Sequence, residues 1–513
     1  MRHYIYLIIL GILFSFTSCR KDFDTVASSG NLEFSKTEVY LDTVFSTIGS
    51  STYSLKVYNR SNDDIKIPII QLGKGLNSKY RILVDGIAGN NKIFNNVELL
   101  ANDSLYIFVE TTANISETEA DFTYNDKILF DVGANQQSVN LTTLIDDAFF
   151  IFPNRSLDKK IYEKITVEGF VDKNNQKLNG HTLTDSELNW NNSKPYVIYG
   201  NCVVPSGKIL NIGIGTRVHF HKGATLIVDD GATLNIKGEL NVFNGDGKVT
   251  TKNEVTFEGD RLEPEYEYVS GQWGAVFILS GTNNRIEHLT LKNAVVGILM
   301  LRINELTTPK LTIENSQIYD CSNYGILARN SIINGENLVI NFAGQTCLGL
   351  AEGGFYDFTH CTFNNNAQST KQNAVYIDNI ITDQNGNPID SVELNVNIKN
   401  SIIYGSNNIE AIINQTTITK TIPKPFNLNF EKCLIKFNDV NNQLTGSQYN
   451  EIKNPDNFRN QDPKFKNINR NFMNILAGSP AINKGNSGYS TFPDVLNNLR
   501  TFSSDIGAYN FIQ

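Results

Sequence analysis

The chain has 513 residues, 40% of them hydrophobic and 19% charged, a globular composition that excludes general disorder. Its formal charge of -9 argues against nucleic acid as a partner, because phosphate backbones are gripped by basic patches. The 37 glycines and 13 prolines fall between short runs of Ile, Val, Leu, Thr and Phe, a texture of strands and turns.

The chain opens on MRHYIYLIILGILFSFTSC. A positive start, an apolar run from Tyr4 to Phe16 and small residues before Cys19 read as a signal peptide over 1–18, too short to span a bilayer comfortably. The FTSC ending resembles a bacterial lipobox, which implies cleavage before Cys19 and acylation of its thiol, with outer-membrane lipid as its partner. The alternative is a plain signal peptide with an incidental cysteine. The next residues, RKDFD, resemble the charged tether that sends many Bacteroidota lipoproteins to the cell surface, so 19–30 is expected to be a lipidated tether.

Residues 31–148 share one texture. STYSLKVYNRSNDDIKIPII, NDSLYIFVETT and KILFDVGANQQSVNLTTLI alternate apolar and polar residues and break at polar turns, which predicts a β-sandwich of immunoglobulin-like size. Their order is similar to bacterial Ig-like modules of the abnormal-spindle-like type. No residue there demands chemistry, and a spacer is expected. A connector over 149–192 ends in NWNNSKPY.

From 193 to 460 the period changes. Gly-Ala-Thr-Leu occurs at 223–226 and again at 231–234. Six hexapeptides then align: HLTLKN from His288, NSQIYD from Asn315, NLVINF from Asn337, HCTFNN from His360, NSIIYG from Asn400 and KCLIKF from Lys432. Their fourth column (Leu291, Ile318, Ile340, Phe363, Ile403, Ile435) is uniformly large and apolar, and the second is small or apolar. Alternate strand residues face one side, so both columns point inward. The sixth column is rich in Asn, Asp and Gly, the residues that tolerate a left-handed bend. A coil of about 22 residues suits a parallel β-solenoid. Five cysteines remain after Cys19, with no CxxC, and are expected to be core residues.

This layout resembles the right-handed parallel β-helix proteins of the pectate-lyase-like superfamily, specifically Bacteroidota lipoproteins. DPKFKNINRNFMNILAGSPAINKGN with DVLNNLRTFSSDIGAY is similar to a closing signature of the choice-of-anchor Q type, here Gly478–Ile482 and Asp505–Tyr509. Residues 461–513 are therefore expected to cap the helix, with Ala477, Ala481 and Ile482 covering its open end. The expected fold class is all-β: an N-terminal Ig-like β-sandwich, then a right-handed parallel β-helix with a C-terminal cap. The superfamily holds polysaccharide lyases and hydrolases, adhesins and proteins of other kinds, so the resemblance carries fold further than activity.

Acid–base constellations are sparse in the sequence. Asp229–Asp230 and the group Asp378, Asp383 and Asp390 fall at turns and do not match paired glycosidase carboxylates. A lyase would use Arg or Lys as base, with calcium as a cofactor; Arg261, Arg285, Arg302 and Arg329 are the candidates, with no calcium cluster beside them. His219 and His221 share a strand face and read as a solvated pair; His288 and His360 read as surface or turn residues. The segment FEGDRLEPEYEYVSGQWGAV brings Asp260, Arg261, Tyr266, Tyr268 and Trp273 together, the side-chain types that hold a glycan. The favoured reading is an ordinary loop in which Asp260 and Arg261 brace each other over Trp273, with Glu263, Glu265 and Glu267 as a solvated rim. The expectation is an envelope lipoprotein that binds extended glycan or another surface component, without catalysis, cofactor or metal. The alternative is a polysaccharide lyase or glycoside hydrolase.

Overall fold

The computed structural model describes residues 25–114, 116, 122–156, 161–167, 176–244, 248–302, 307–367, 372–420, 422–489, 493–500 and 504–512. The signal peptide, Cys19 and the start of the tether lie outside the described residues. Among the described residues no helix is long and apolar enough to cross a membrane. The chain divides into two compact units, 1–147 and 148–513.

The first unit is a sandwich of two sheets. One has six strands, in the order Val26–Ala27, Ile65–Leu72, Thr123–Phe130, Gln137–Asp146 and Glu38–Phe45, with Ile93–Leu99 also paired to Ile65–Leu72. The other has five, with Tyr53–Tyr58, Ser104–Thr111 and Tyr80–Val84 at its centre. Strand alternation decides the core: Leu55, Val57, Ile107, Val109, Val139 and Leu141 are buried while their neighbours face out.

The second unit is a parallel β-helix. One face is an eleven-stranded sheet, starting at Phe149–Ile151 and ending at Phe458–Arg459. Two long strands, Tyr324–Glu336 and Thr346–Thr359, turn a corner and join the other two faces into one branched sheet of 16 strands. The stretch expected as a connector contributes the first coil: Phe149–Ile151, Gly180–Thr182 and Asn189–Trp190 each pair in parallel with the coil that follows.

The aligned hexapeptides stack in register. Leu291 pairs with Ile318, Ile318 with Ile340, Ile340 with Phe363, Phe363 with Ile403 and Ile403 with Ile435. All six are inside the core, each stabilising the fold by roughly 1.5–3 kcal/mol through burial. The second column is buried as well, and its small hydroxyls have a use there: Ser316 and Ser401 Oγ accept the backbone N–H of Leu289 and Cys361. All five described cysteines are buried thiols.

Two expectations about this stack are corrected. The residue with left-handed backbone is the first of each hexapeptide, not chiefly the sixth: His288, Asn315, Asn337, His360, Asn400 and Lys432 all have φ of 46–52°. In the sixth column only Asn293, Asp320 and Phe342 do. The chain thus rounds the corner before the strand, at a position where Asn is the cheapest non-glycine residue.

The second correction concerns the C-terminal segment. The open end is closed by residues just past the last aligned strand, with Phe437, Tyr449 and Ile452 joining the core and Tyr449 Oη donating to the Ile413 carbonyl at 3.1 Å. Residues beyond 461 instead run back along the outside of the eleven-stranded sheet. Ala481 and Ile506 pack on the outward Ile402 and Leu434, while Met473, Val495, Ala508 and Tyr509 pack on Tyr319 and Val339. Ala477 is exposed. The physical reason is that the outward residues of these coils are themselves apolar, and their burial outweighs leaving that face wet.

Candidate functional site

The segment beyond residue 461, a strap along the outside of the eleven-stranded sheet, stops short of the upstream coils and leaves a groove of about 320 Å3 on the same sheet. Its floor is built from three consecutive strands, Val255–Gly259, Leu289–Lys292 and Gln317–Cys321. On these strands Val255, Phe257, Leu289, Leu291 and Ile318 point inward, which turns Glu258, Lys292 and Tyr319 outward in one column. Glu254 and Arg217 extend the floor, and Asp320 joins it because its left-handed backbone (φ 53°) interrupts the alternation.

Two walls rise from neighbouring bends. Asn293, also left-handed, donates through Nδ2 to the carbonyls of Glu267 and Val269, and so fixes the loop that presents Tyr268. On the other side Asn471 Nδ2 donates to Asp320 Oδ2 at 2.9 Å and fixes the strap segment carrying Arg470 and Phe472. Asn241 and Lys252, at the base of the hairpin Val242–Phe243/Val249–Thr251, complete the lining.

Charge in the groove is ordered. Lys292 Nζ lies 2.8 Å from one Glu258 oxygen and His219 Nδ1 lies 3.5 Å from the other. Burial alone would raise the Glu258 carboxyl, but the neighbouring charge of Lys292 holds it below its ordinary range; burial lowers the His219 imidazole and favours its neutral form, so Lys292 is the cation that matters. Burial opposes the Lys292 charge, yet Glu258 raises that group too. Asp320 goes the other way: burial pushes it up to about 6, against the Asn471 hydrogen bond and Lys292. Burial also raises Glu254, whose Oε2 accepts the Thr290 hydroxyl at 3.1 Å. Lys252 and Arg470 make no ion pair with a described residue. Among the described residues no three His, Cys, Asp or Glu side chains are placed to hold a metal ion.

The residues singled out from sequence separate. Tyr268 lines the groove, 41% exposed. Trp273 is fully buried: it begins an inward-facing strand, stacks on Phe220 at 4.0 Å between centroids, and donates Nε1–H to the Lys292 carbonyl. It offers no face to a ligand. Asp260 and Arg261 do not brace each other. Asp260 binds His221 Nδ1 at 2.7 Å, while Arg261 forks onto Glu263 and covers the Tyr266 ring at 3.8 Å. Glu263 is buried by that contact, so the solvated rim is Glu265 and Glu267 alone. His219 is likewise buried beside Glu258 rather than solvated, and His360 lies fully buried under the strap, bonded to Asn400.

None of Arg261, Arg285, Arg302 and Arg329 lines the groove; Arg285 and Arg329 pair with Glu314 and Glu352. The groups that do line it were legible in part, since EVTFEG from Glu254 aligns one coil ahead of HLTLKN and its fifth column places Glu258 above Lys292 and Tyr319. A wider depression of about 540 Å3 beside Asp230, Thr282 and Lys310 gathers threonines and backbone and assembles no comparable acid–base set.

No family model matches the chain, and no curated protein matches it. Among solved structures, 23% of the chain is similar to the E. coli chaperone DraB, at 16% identity over 57% of that chain with a TM-score of 0.16. The same share is similar to the ASH/PapD-like domain of human CEP192 (PapD-like domain 7), at 11% identity over 87% of that chain with a TM-score of 0.15. Likenesses at these values carry nothing about activity.

Proposed function

We propose that the protein is an acylated envelope protein of the outer membrane, surface-exposed, that holds extended polysaccharide along the outer face of its β-helix. Its anchor in this reading is lipid on Cys19. The observation that carries the reading is the make-up of the groove: a floor of carboxylate, ammonium and hydroxyl groups, flanked by the exposed rings of Tyr268 and Phe472, 41% and 50% accessible. Sugar hydroxyls bond to such a floor, and the apolar faces of pyranose rings rest on aromatic side chains. Successive coils set Glu258, Lys292 and Tyr319 about 4.8 Å apart, a row of polar groups along which a linear polymer lies.

Proton abstraction of the lyase kind fits less well. It needs a basic side chain able to shed its proton, and Lys292, the cation at the centre of the floor, is held charged by Glu258.

Retention tests the binding reading. The full chain in detergent is mixed with labelled polygalacturonate, chondroitin sulfate and a neutral β-glucan, then run on size-exclusion chromatography. At least one polymer should co-elute with the protein, and Tyr268→Ala with Phe472→Ala should weaken that retention about 10-fold, the loss of two stacking contacts. Equal retention by the double variant removes the rings from the site and the reading with them.

A further inference from the structure

We infer that the downstream end of the β-helix takes one further strand, an extended basic segment of a partner protein. The inference is independent of glycan retention, because it concerns the last coil and not the outer groove.

Each face of the helix ends in a strand with no coil after it. The eleven-stranded sheet ends in Phe458–Arg459, two residues long. A second face ends in Ala411–Asn414, where Tyr449 Oη accepts the Ile413 N–H at 3.4 Å and donates to the Ile413 carbonyl at 3.1 Å. The third ends in Phe426–Glu431, six residues that pair only with Leu394–Lys399 among the described residues. Leu394 N–H donates to the Pro425 carbonyl and Asn400 N–H to that of Glu431. Backbone groups alternate along a strand, so those of Phe426, Leu428 and Phe430 point away from the preceding coil. Asn457 Nδ2 donates to the Phe430 carbonyl at 2.8 Å. Among the described residues, none meets the N–H or carbonyl of Phe426 and Leu428.

This edge also lacks what keeps edges single. Its register has no bulge and it carries no charge before Glu431, the devices that normally turn a further strand away. A groove of about 290 Å3 lies beside it, walled by Gln415, Ser447, Gln448 and Glu451. Phe426 and Leu428 are half-buried at its floor, apolar residues packed on the core that no next coil covers.

A segment laid along Phe426–Leu428 bonds both N–H groups and both carbonyls, and its alternate side chains enter the groove. The Glu451 carboxylate makes no ion pair with a described residue. A Lys or Arg side chain fits there, its stem on Phe426 and Leu428 and its charge at Glu451. A second copy fits less well. A two-fold axis at Leu428 would set Phe430 of each copy, already bonded to Asn457, against Phe426 of the other.

The probe is a fluorescein-labelled hexapeptide of alternating Lys and Val, read by fluorescence anisotropy against the full chain in detergent. Saturable one-to-one binding is expected. Leu428→Pro removes an N–H that bonds nothing within the fold, and should weaken binding about 10-fold or more. Glu451→Gln should weaken it about 3-fold, the loss of one exposed ion pair. A probe N-methylated at its central amides keeps its charge and should not bind. Because the chain carries a net charge of -9, this second probe separates strand pairing from plain attraction. It also carries the test on the wild-type protein should Leu428→Pro not fold. No saturable binding, equal binding of the methylated probe, or equal binding by a folded Leu428→Pro variant overturns the inference. A dimer that forms with rising protein concentration and is lost in Leu428→Pro would give the edge to a second copy, and overturns it as well.

Discussion

Glu410 is fully buried where the chain enters the strand Ala411–Asn414. One of its oxygens accepts the Asn407 amide at 2.7 Å, and the other has no hydrogen bond. Burial therefore pushes its carboxyl up to about 8, with Lys436 opposing, against an ordinary value of 4.5. Between those limits the folded chain holds a proton that the unfolded chain has released. Stability must then fall as pH rises from about 4.5 to about 8, and level off beyond. Glu410→Gln keeps the acceptor for Asn407 and cannot ionise. Its advantage over wild type should be small at the acid end of that window and grow steadily across it, read from thermal midpoints of both proteins at each pH. A difference that stays constant with pH would mean that Glu410 is charged in the fold.

At the scale of elements, the strap is held by polar side chains reaching out of the bends. Asn337, Asn341 and Asn400 each donate to a strap carbonyl, at Pro493, Ile468 and Asn486. Arg500 closes the arrangement from the strap side, donating to Asn337 Oδ1 at 2.7 Å and to the carbonyls of Gly507 and Ala508. Arg500→Ala strands these acceptors, at a cost of about 2–4 kcal/mol. Amide exchange should quicken across 494–510 while the core strands stay protected. Unchanged exchange in the strap would show that its apolar contacts suffice. The interior of the helix could be read in advance because every coil repeats the same inward positions, so one column of Leu, Ile and Phe fixes the register of the whole stack. What covers the outside comes from far along the chain with no period to announce it. Hence Ala481 and Ile482 read as an end cap, although they lie on the flank, and Trp273 read as a ligand platform because its loop was legible while the parity of its strand was not. Asp320 stood in an aligned column as a turn residue; only the fold brings Asn471 to it.

At the scale of the whole molecule, the sandwich and the β-helix have separate cores, and the β-helix is held by one continuous interior, from Ile151 and Trp190 at the first coil to Phe437 and Ile452 at the last. Such an interior needs no disulfide, and the buried thiols are kept well above their ordinary acidity range by desolvation, as for Cys321 at about 12. The proposed anchor is independent of that interior and can be tested by itself. Cys19→Ser should abolish incorporation of labelled palmitate and release the protein from the membrane fraction, with the thermal midpoint of the β-helix unchanged. Incorporation that persists in the variant would exclude Cys19 as the acylated residue.

The groove joins residues that the chain makes far apart in time. Asp320 and Asn471, whose hydrogen bond sets one wall, are separated by 151 positions. A nascent chain can stack the coils of the floor as they emerge, since each contacts only its neighbours. The groove stays open on one side until the strap has been synthesised and has folded back over coils already in place. A fragment cut between the last coil and the strap would lack Arg470, Asn471 and Phe472, which makes an intact C-terminal segment the condition for a complete groove.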